Sequence, residues 1–99
     1  MSVLTKICQE AVMHWGKDLQ LNMAIEKANE LIKAICKVKH NVNSHTVLNV
    51  AVEIADMEIM LEQLKIILYC RGAVEVWKEY KLKRLFQKLE EAVGSCQNH

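Results

Sequence analysis

No proline occurs anywhere in this chain, and its three glycines stand at positions 16, 72 and 94. Proline and glycine are the residues that most often interrupt a helix. A chain that nearly lacks them can hold long helices and has little material for the tight turns of a sheet. The 99 residues make one small domain, expected to span 1–99, and 52% of them are hydrophobic. That share is high for a domain of this size, which buries only a modest part of its surface, so self-association is an expected further source of stability.

The glycines divide the sequence. A first amphipathic stretch runs from about Val3 to Trp15 and stops at Gly16. A second runs from about Asp18 to Lys39, with Asp18 as a possible N-cap. The polar segment from His40 to Ser44 reads as a loop, with Asn43 or Ser44 capping a third helix from about His45 to Cys70. Gly72 is expected to separate it from a fourth, about Ala73 to Val93, closed by Gly94. Four helices with short connections predict an all-α fold, a small antiparallel four-helix bundle.

Charge and cysteines narrow the classes. The formal net charge is +1, which gives no electrostatic footing for a nucleic-acid polymer or a membrane surface. The longest apolar run is broken by Glu53, Asp56, Glu58 and Glu62, so no segment is expected to span a bilayer. Cys8, Cys36, Cys70 and Cys96 form no Cys-x-x-Cys pair, and the chain opens without a signal-peptide pattern. Four reduced thiols in a cytoplasmic protein are the expectation. Cys36 and His40 share a helical spacing, but two candidate ligands do not make a zinc site.

The helix faces locate the chemistry. Drawn at about 100° per residue, the third helix places Glu58, Glu62, Lys65 and Tyr69 on one side, expected to face water. Asn49, Glu53 and Asp56 fall nearly opposite, among Met60, Leu64 and Ile67. On the second helix, Met23, Ala24, Ala28, Leu31, Ala34, Ile35 and Val38 form an apolar arc. Gln20 and Lys27 lie inside that arc and Glu30 at its edge, while Glu26, Lys33 and Lys37 point outward. Acids on an inward face need a cation, a metal or hydrogen-bond donors. A metal site and a structural salt-bridge cluster both meet that need. The fourth helix carries Lys81, Arg84 and Lys88 on one face with Trp77, a solvated stripe unless a phosphate-bearing ligand comes to it.

These residues resemble the MazG-like nucleotide pyrophosphohydrolases, particularly the short versions of phages and prophages. The family carries Glu-Glu-x-x-Glu on one helix and Glu-x-x-Asp on the next. Here "WGKDLQLNMAIEKANELIKAI", "NVAVEIADMEIMLEQL" and "EYKLKRLFQKL" look like its three blocks in order, over roughly residues 15 to 89. The resemblance implies an all-α dimer or tetramer that hydrolyses nucleoside triphosphates to monophosphate and pyrophosphate with magnesium. Carried over, the metal-ligand positions are Lys27, Glu30, Glu53 and Asp56. Trp15 and Gln20 match positions near the nucleotide, and Lys81 and Arg84 match phosphate-facing basic residues.

Lys27 departs from the pattern, standing where the family has an acid, and Val52 replaces a common acid before Glu53. Magnesium takes oxygen ligands and has no use for an ammonium group. Glu26 is turned about 100° away and does not replace the missing ligand. Two expectations follow. Either Glu30, Glu53 and Asp56 still hold magnesium and an impaired enzyme results, or Lys27 occupies the metal's place and the protein is a catalytically silent binding or interaction module. In both, the ammonium of Lys27 is expected within salt-bridge reach of at least one of the three acids.

Overall fold

A computed structural model describes the backbone of residues 1–97 and the side chains of residues 1–94. The fold is all-α, with helices α1 (Val3–Trp15), α2 (Lys17–His40), α3 (Ser44–Ile67) and α4 (Arg71–Gln97). No strand occurs among the described residues. The chain divides into two compact units, Met1–Tyr69 carrying α1 to α3, and α4 from Cys70 onward. Among the described residues, no helix is long and apolar enough to cross a membrane. Cys8, Cys36 and Cys70 are free thiols, and Cys96 lies outside the residues whose side chains are described.

Local chemistry explains most boundaries. Ser2 caps α1, its hydroxyl accepting from the Thr5 amide at 3.1 Å. Gly16 ends α1 and begins α2 with φ +89° and ψ 157°, a backbone conformation that L side chains rarely adopt. The cap of α2 is therefore this glycine; Asp18 sits inside the first turn, where its charge suits the helix dipole. Asn43 caps α3 through a reciprocal box. Its side chain accepts from the Thr46 amide at 2.9 Å, and its own amide donates to the Thr46 hydroxyl at 3.0 Å.

The break between α3 and α4 comes earlier than expected. Leu68 donates to the Leu64 carbonyl at 3.0 Å, and Tyr69 then takes φ +51°. A non-glycine residue in the left-handed region carries a penalty of about 1 kcal/mol or more. The ammonium of Lys17 stands 5.3 Å from the centre of the Tyr69 ring, a contact that offsets part of it. Gly72 and Gly94 are both inside α4, so neither separates nor closes a helix. A lone glycine lowers helix stability without ending the helix.

In the three-helix unit, α3 is the central element, packing against both α2 and α1. Cys8, Val12, Ala24, Ala34, Met60 and Ile67 form its buried apolar core. The α2–α3 pair is antiparallel. Gln20 meets Gln63 and Lys27 meets Asp56, so a step of seven along α2 matches a step of seven backward along α3. A further step of three brings Glu30 to the level of Glu53.

A carboxylate cluster on the α2–α3 seam

The inward polar residues of the two helices do come together. Glu30, Glu53 and Asp56 each present a carboxylate oxygen, and the three oxygens lie within 4.8 Å of one another. All three side chains are half-buried. The lysine enters the same cluster. Its Nζ donates to Glu30 Oε2 at 3.5 Å and lies 3.6 Å from Asp56 Oδ2. The salt-bridge expectation for Lys27 therefore holds for two of the three acids.

The third acid is the exception. Glu53 Oε2 is closed off from water and meets no hydrogen-bond donor. Loss of hydration, then the neighbouring charges of Glu30 and Asp56, push the Glu53 carboxyl above its ordinary range, against a smaller opposing pull from Lys27. Lys27 is pushed up by the charges of Glu30 and Asp56, in that order, against a smaller desolvation cost. The cluster thus holds three acids and one ammonium, with one oxygen left facing like charge.

The residues present can hold a metal ion. Octahedral magnesium with oxygens at about 2.1 Å sets its ligands roughly 3–4 Å apart, so three carboxylates within 4.8 Å need only a small closure. The buried, donor-less oxygen of Glu53 is the kind of atom that a cation satisfies. Lys27 is the competitor. Its side chain keeps 30% of its surface exposed and runs on a flexible stem, so the ammonium has somewhere else to go.

The other sequence candidates are placed as follows. Gln20 is buried, at 5% exposure, and its amide donates to Gln63 Oε1 at 2.6 Å. Trp15 ends α1, more than half exposed, edge-on to His14 at 5.1 Å. Lys81, Arg84 and Lys88 line one shallow groove on α4 with Tyr80 and Leu85. Cys36 and His40 are exposed on α2.

One face of α3 is corrected. Glu58 is exposed as expected, as is Tyr69 just beyond the end of α3, but Lys65 is half-buried and Glu62 is buried at 7% exposure. It accepts from the Thr5 hydroxyl at 3.0 Å, because α1 packs on the side of α3 that a single wheel assigns to water. Cys8 lies beside it at 1% exposure, its thiol pushed up first by burial and then by the Glu62 charge. Gln63 was missed by the sequence reading, though its place two helical turns beyond Asp56 on the same face is the signal that could have found it. Glu62 left no such signal, since its burial depends on a helix distant in sequence.

Comparison with protein-family models, with curated proteins and with solved structures finds no match. The class that fold and site define is therefore an all-α protein with a three-carboxylate, one-lysine cluster on a helix seam.

Proposed function

We propose that this seam is a MazG-like nucleoside triphosphate pyrophosphohydrolase site, impaired by Lys27. The observation that supports it is the convergence of Glu30, Glu53 and Asp56 across two antiparallel helices. Those are the three acids left at the four metal-ligand positions that the resemblance implies. Magnesium bound there would polarise the phosphates and help activate a water. Glu30 and Asp56 would become its ligands only if Lys27 swung aside, and Glu53 offers an oxygen that nothing else claims.

Charge sets the degree of impairment. Three carboxylates and one ammonium sum to −2 when all are ionised, against −4 for the four-acid set of the family. A divalent ion is therefore held less tightly, and Lys27 must give up two ion pairs to admit it. Once displaced, its ammonium would be free to pair with the phosphates of a substrate. Lys81 and Arg84 are the proposed phosphate-facing residues of α4, and Trp15 a contact to the nucleotide. Gln20 serves the seam through Gln63 before it can serve a ligand.

A second reading is favoured by the position of the Lys27 nitrogen. It bridges Glu30 and Asp56 and neutralises part of the cluster without any ion. On that reading the protein is a catalytically silent member that binds or assembles and does not turn over. In either case we propose a homo-oligomer in the cytoplasm. Val47, Leu48, Val52, Ile54, Ile59 and Leu61 of α3 are each 44–60% exposed, more apolar surface than a monomer in water normally leaves uncovered.

Pyrophosphate release over a panel of nucleoside triphosphates, with magnesium and with manganese, separates the readings. The impaired enzyme shows slow, metal-dependent turnover that Lys27→Glu raises tenfold or more. The silent protein shows none until Lys27→Glu restores the fourth acid and creates it. Fast turnover by the unmodified chain, unimproved by Lys27→Glu, would sink the idea that Lys27 obstructs the site.

A further inference from the structure

We infer that Lys27 is an exchange group, which makes the seam accept a divalent ion together with a polyphosphate anion and resist the ion alone. This rests on the pyrophosphohydrolase reading and deepens it by naming how the site is loaded. The ammonium of Lys27 stands 3.5 Å from Glu30 Oε2 and 3.6 Å from Asp56 Oδ2, so one cation occupies two of the three acids. It leaves the third unsatisfied, since Glu53 Oε2 is closed off from water and meets no donor. The Lys27 side chain is 30% exposed on a flexible stem, so a change of rotamer takes the ammonium off the acids while the backbone of α2 stays in place. The seam thus carries a removable cation of its own and an oxygen that this cation does not serve.

Charge decides what removes it. A divalent ion that arrives alone must stand beside the ammonium or drive it into water. The first is opposed by like-charge repulsion, and the second gives up both ion pairs with nothing in return. A polyphosphate changes the balance, because its oxygens accept charge-assisted hydrogen bonds from an ammonium. Lys27 then exchanges carboxylates for phosphates. A ligand shifts an equilibrium only by its differential affinity for the two states. Metal and phosphate both favour the displaced lysine, so each strengthens the other, and the coupling is reciprocal. Such couplings are commonly about 5–150-fold. The two ion pairs are partly exposed, which sets the expected factor near the lower end, roughly tenfold. The recognised group is the phosphate and not the base, so inorganic triphosphate carries the effect. A lysine that only obstructed would hinder the ion and its triphosphate complex alike.

Titration calorimetry on the full chain separates exchange from obstruction. The ligands are magnesium alone and the magnesium complex of inorganic triphosphate, each titrated into the parent and into Lys27→Met, with circular dichroism to check the fold. Lys27→Met should bind free magnesium about tenfold more tightly than the parent and the complex no more tightly. Lys27→Gln takes its place if the methionine variant does not fold, and Lys27→Arg, which keeps the charge, should retain the parent's preference for the complex. Asp56→Asn should weaken both ligands by tenfold or more, which locates them at the seam. Equal tightening of both ligands in Lys27→Met overturns the exchange and leaves a lysine that merely blocks. Unchanged magnesium affinity in that variant, or a complex that binds Asp56→Asn like the parent, overturns it as well. Parent and variants that bind neither ligand remove the metal-site reading itself, and the exchange with it.

Discussion

At the residue scale the cluster is governed by two opposed titrations. Glu53 has a folded-state pKa above its ordinary value, so the native protein binds that proton more tightly than the unfolded chain does. Its ionised form therefore subtracts stability, and the loss grows as pH rises through the window above about 4.5. Glu53→Gln should raise the melting temperature at pH 7 to 8, with the gain shrinking to nothing near pH 4; thermal melts across that range check it, and a variant less stable at pH 7 would refute it. Lys27 is shifted the other way in effect. Its raised pKa means that its stabilisation is complete below about 10.5 and fades only above. Its side chain and its two partners are each 30–38% exposed, so the cluster is not the fully buried one in which losing a partner is most damaging. Lys27→Ala should lower stability at neutral pH only modestly. Millimolar magnesium should then restore it, where the same addition does little for the parent.

At the element scale the polar pair above the cluster sets the register of α2 on α3. Gln20 and Gln63 are each 5% exposed and satisfy one another at 2.6 Å. Gln63→Ala leaves the Gln20 amide buried without that acceptor, at a cost of about 1–3 kcal/mol. Replacing both by Leu should cost far less, and a double-mutant cycle by urea unfolding measures the difference. The glycines give a second contrast. Gly16 has open space for a methyl group but a φ of +89°, so Gly16→Ala should destabilise the three-helix unit by about 1–2 kcal/mol. Gly94 also has open space, lies inside α4 and has an ordinary helical backbone. Gly94→Ala should add helix, with a gain of up to about 1 kcal/mol, read as a larger circular-dichroism signal at 222 nm.

At the scale of the whole molecule the small core is the deciding feature. Cys8, Val12, Ala24, Ala34, Met60 and Ile67 are the buried apolar residues, and two of these are alanines. Large side chains such as Ile25, Ile32, Leu48, Ile54 and Leu61 remain 45–62% exposed. Burying them against another copy returns on the order of 25 cal/mol for each Å² removed from water. Stability should accordingly rise with protein concentration. A melting temperature that climbs by several degrees between 1 and 100 µM is the expected outcome, and one that does not move would count against association.

Much of this was legible in the sequence because it follows from local rules. The absence of proline set helices of 24 residues or more for three of the four elements. The period of the apolar residues put Gln20, Lys27 and Glu30 on one face of α2 and Glu53 and Asp56 on one face of α3, and those faces do meet. Asn43 and Ser44 were both candidate caps by their chemistry, of which the structure selects Asn43, and Gly16 was a break by its freedom of φ. The tertiary structure decided what depends on residues far apart in the chain. Glu62 is buried because α1 covers it, and a wheel of α3 contains no information about α1. The α3–α4 break falls at Tyr69, where Lys17 reaches across from the start of α2, and not at the glycine three residues later. Lys27 shares a face of α2 with Glu30 by helical period alone, but only the packing of α2 on α3 determined which acids it serves. It pairs with Glu30 and Asp56, and leaves Glu53 with a buried oxygen among like charges.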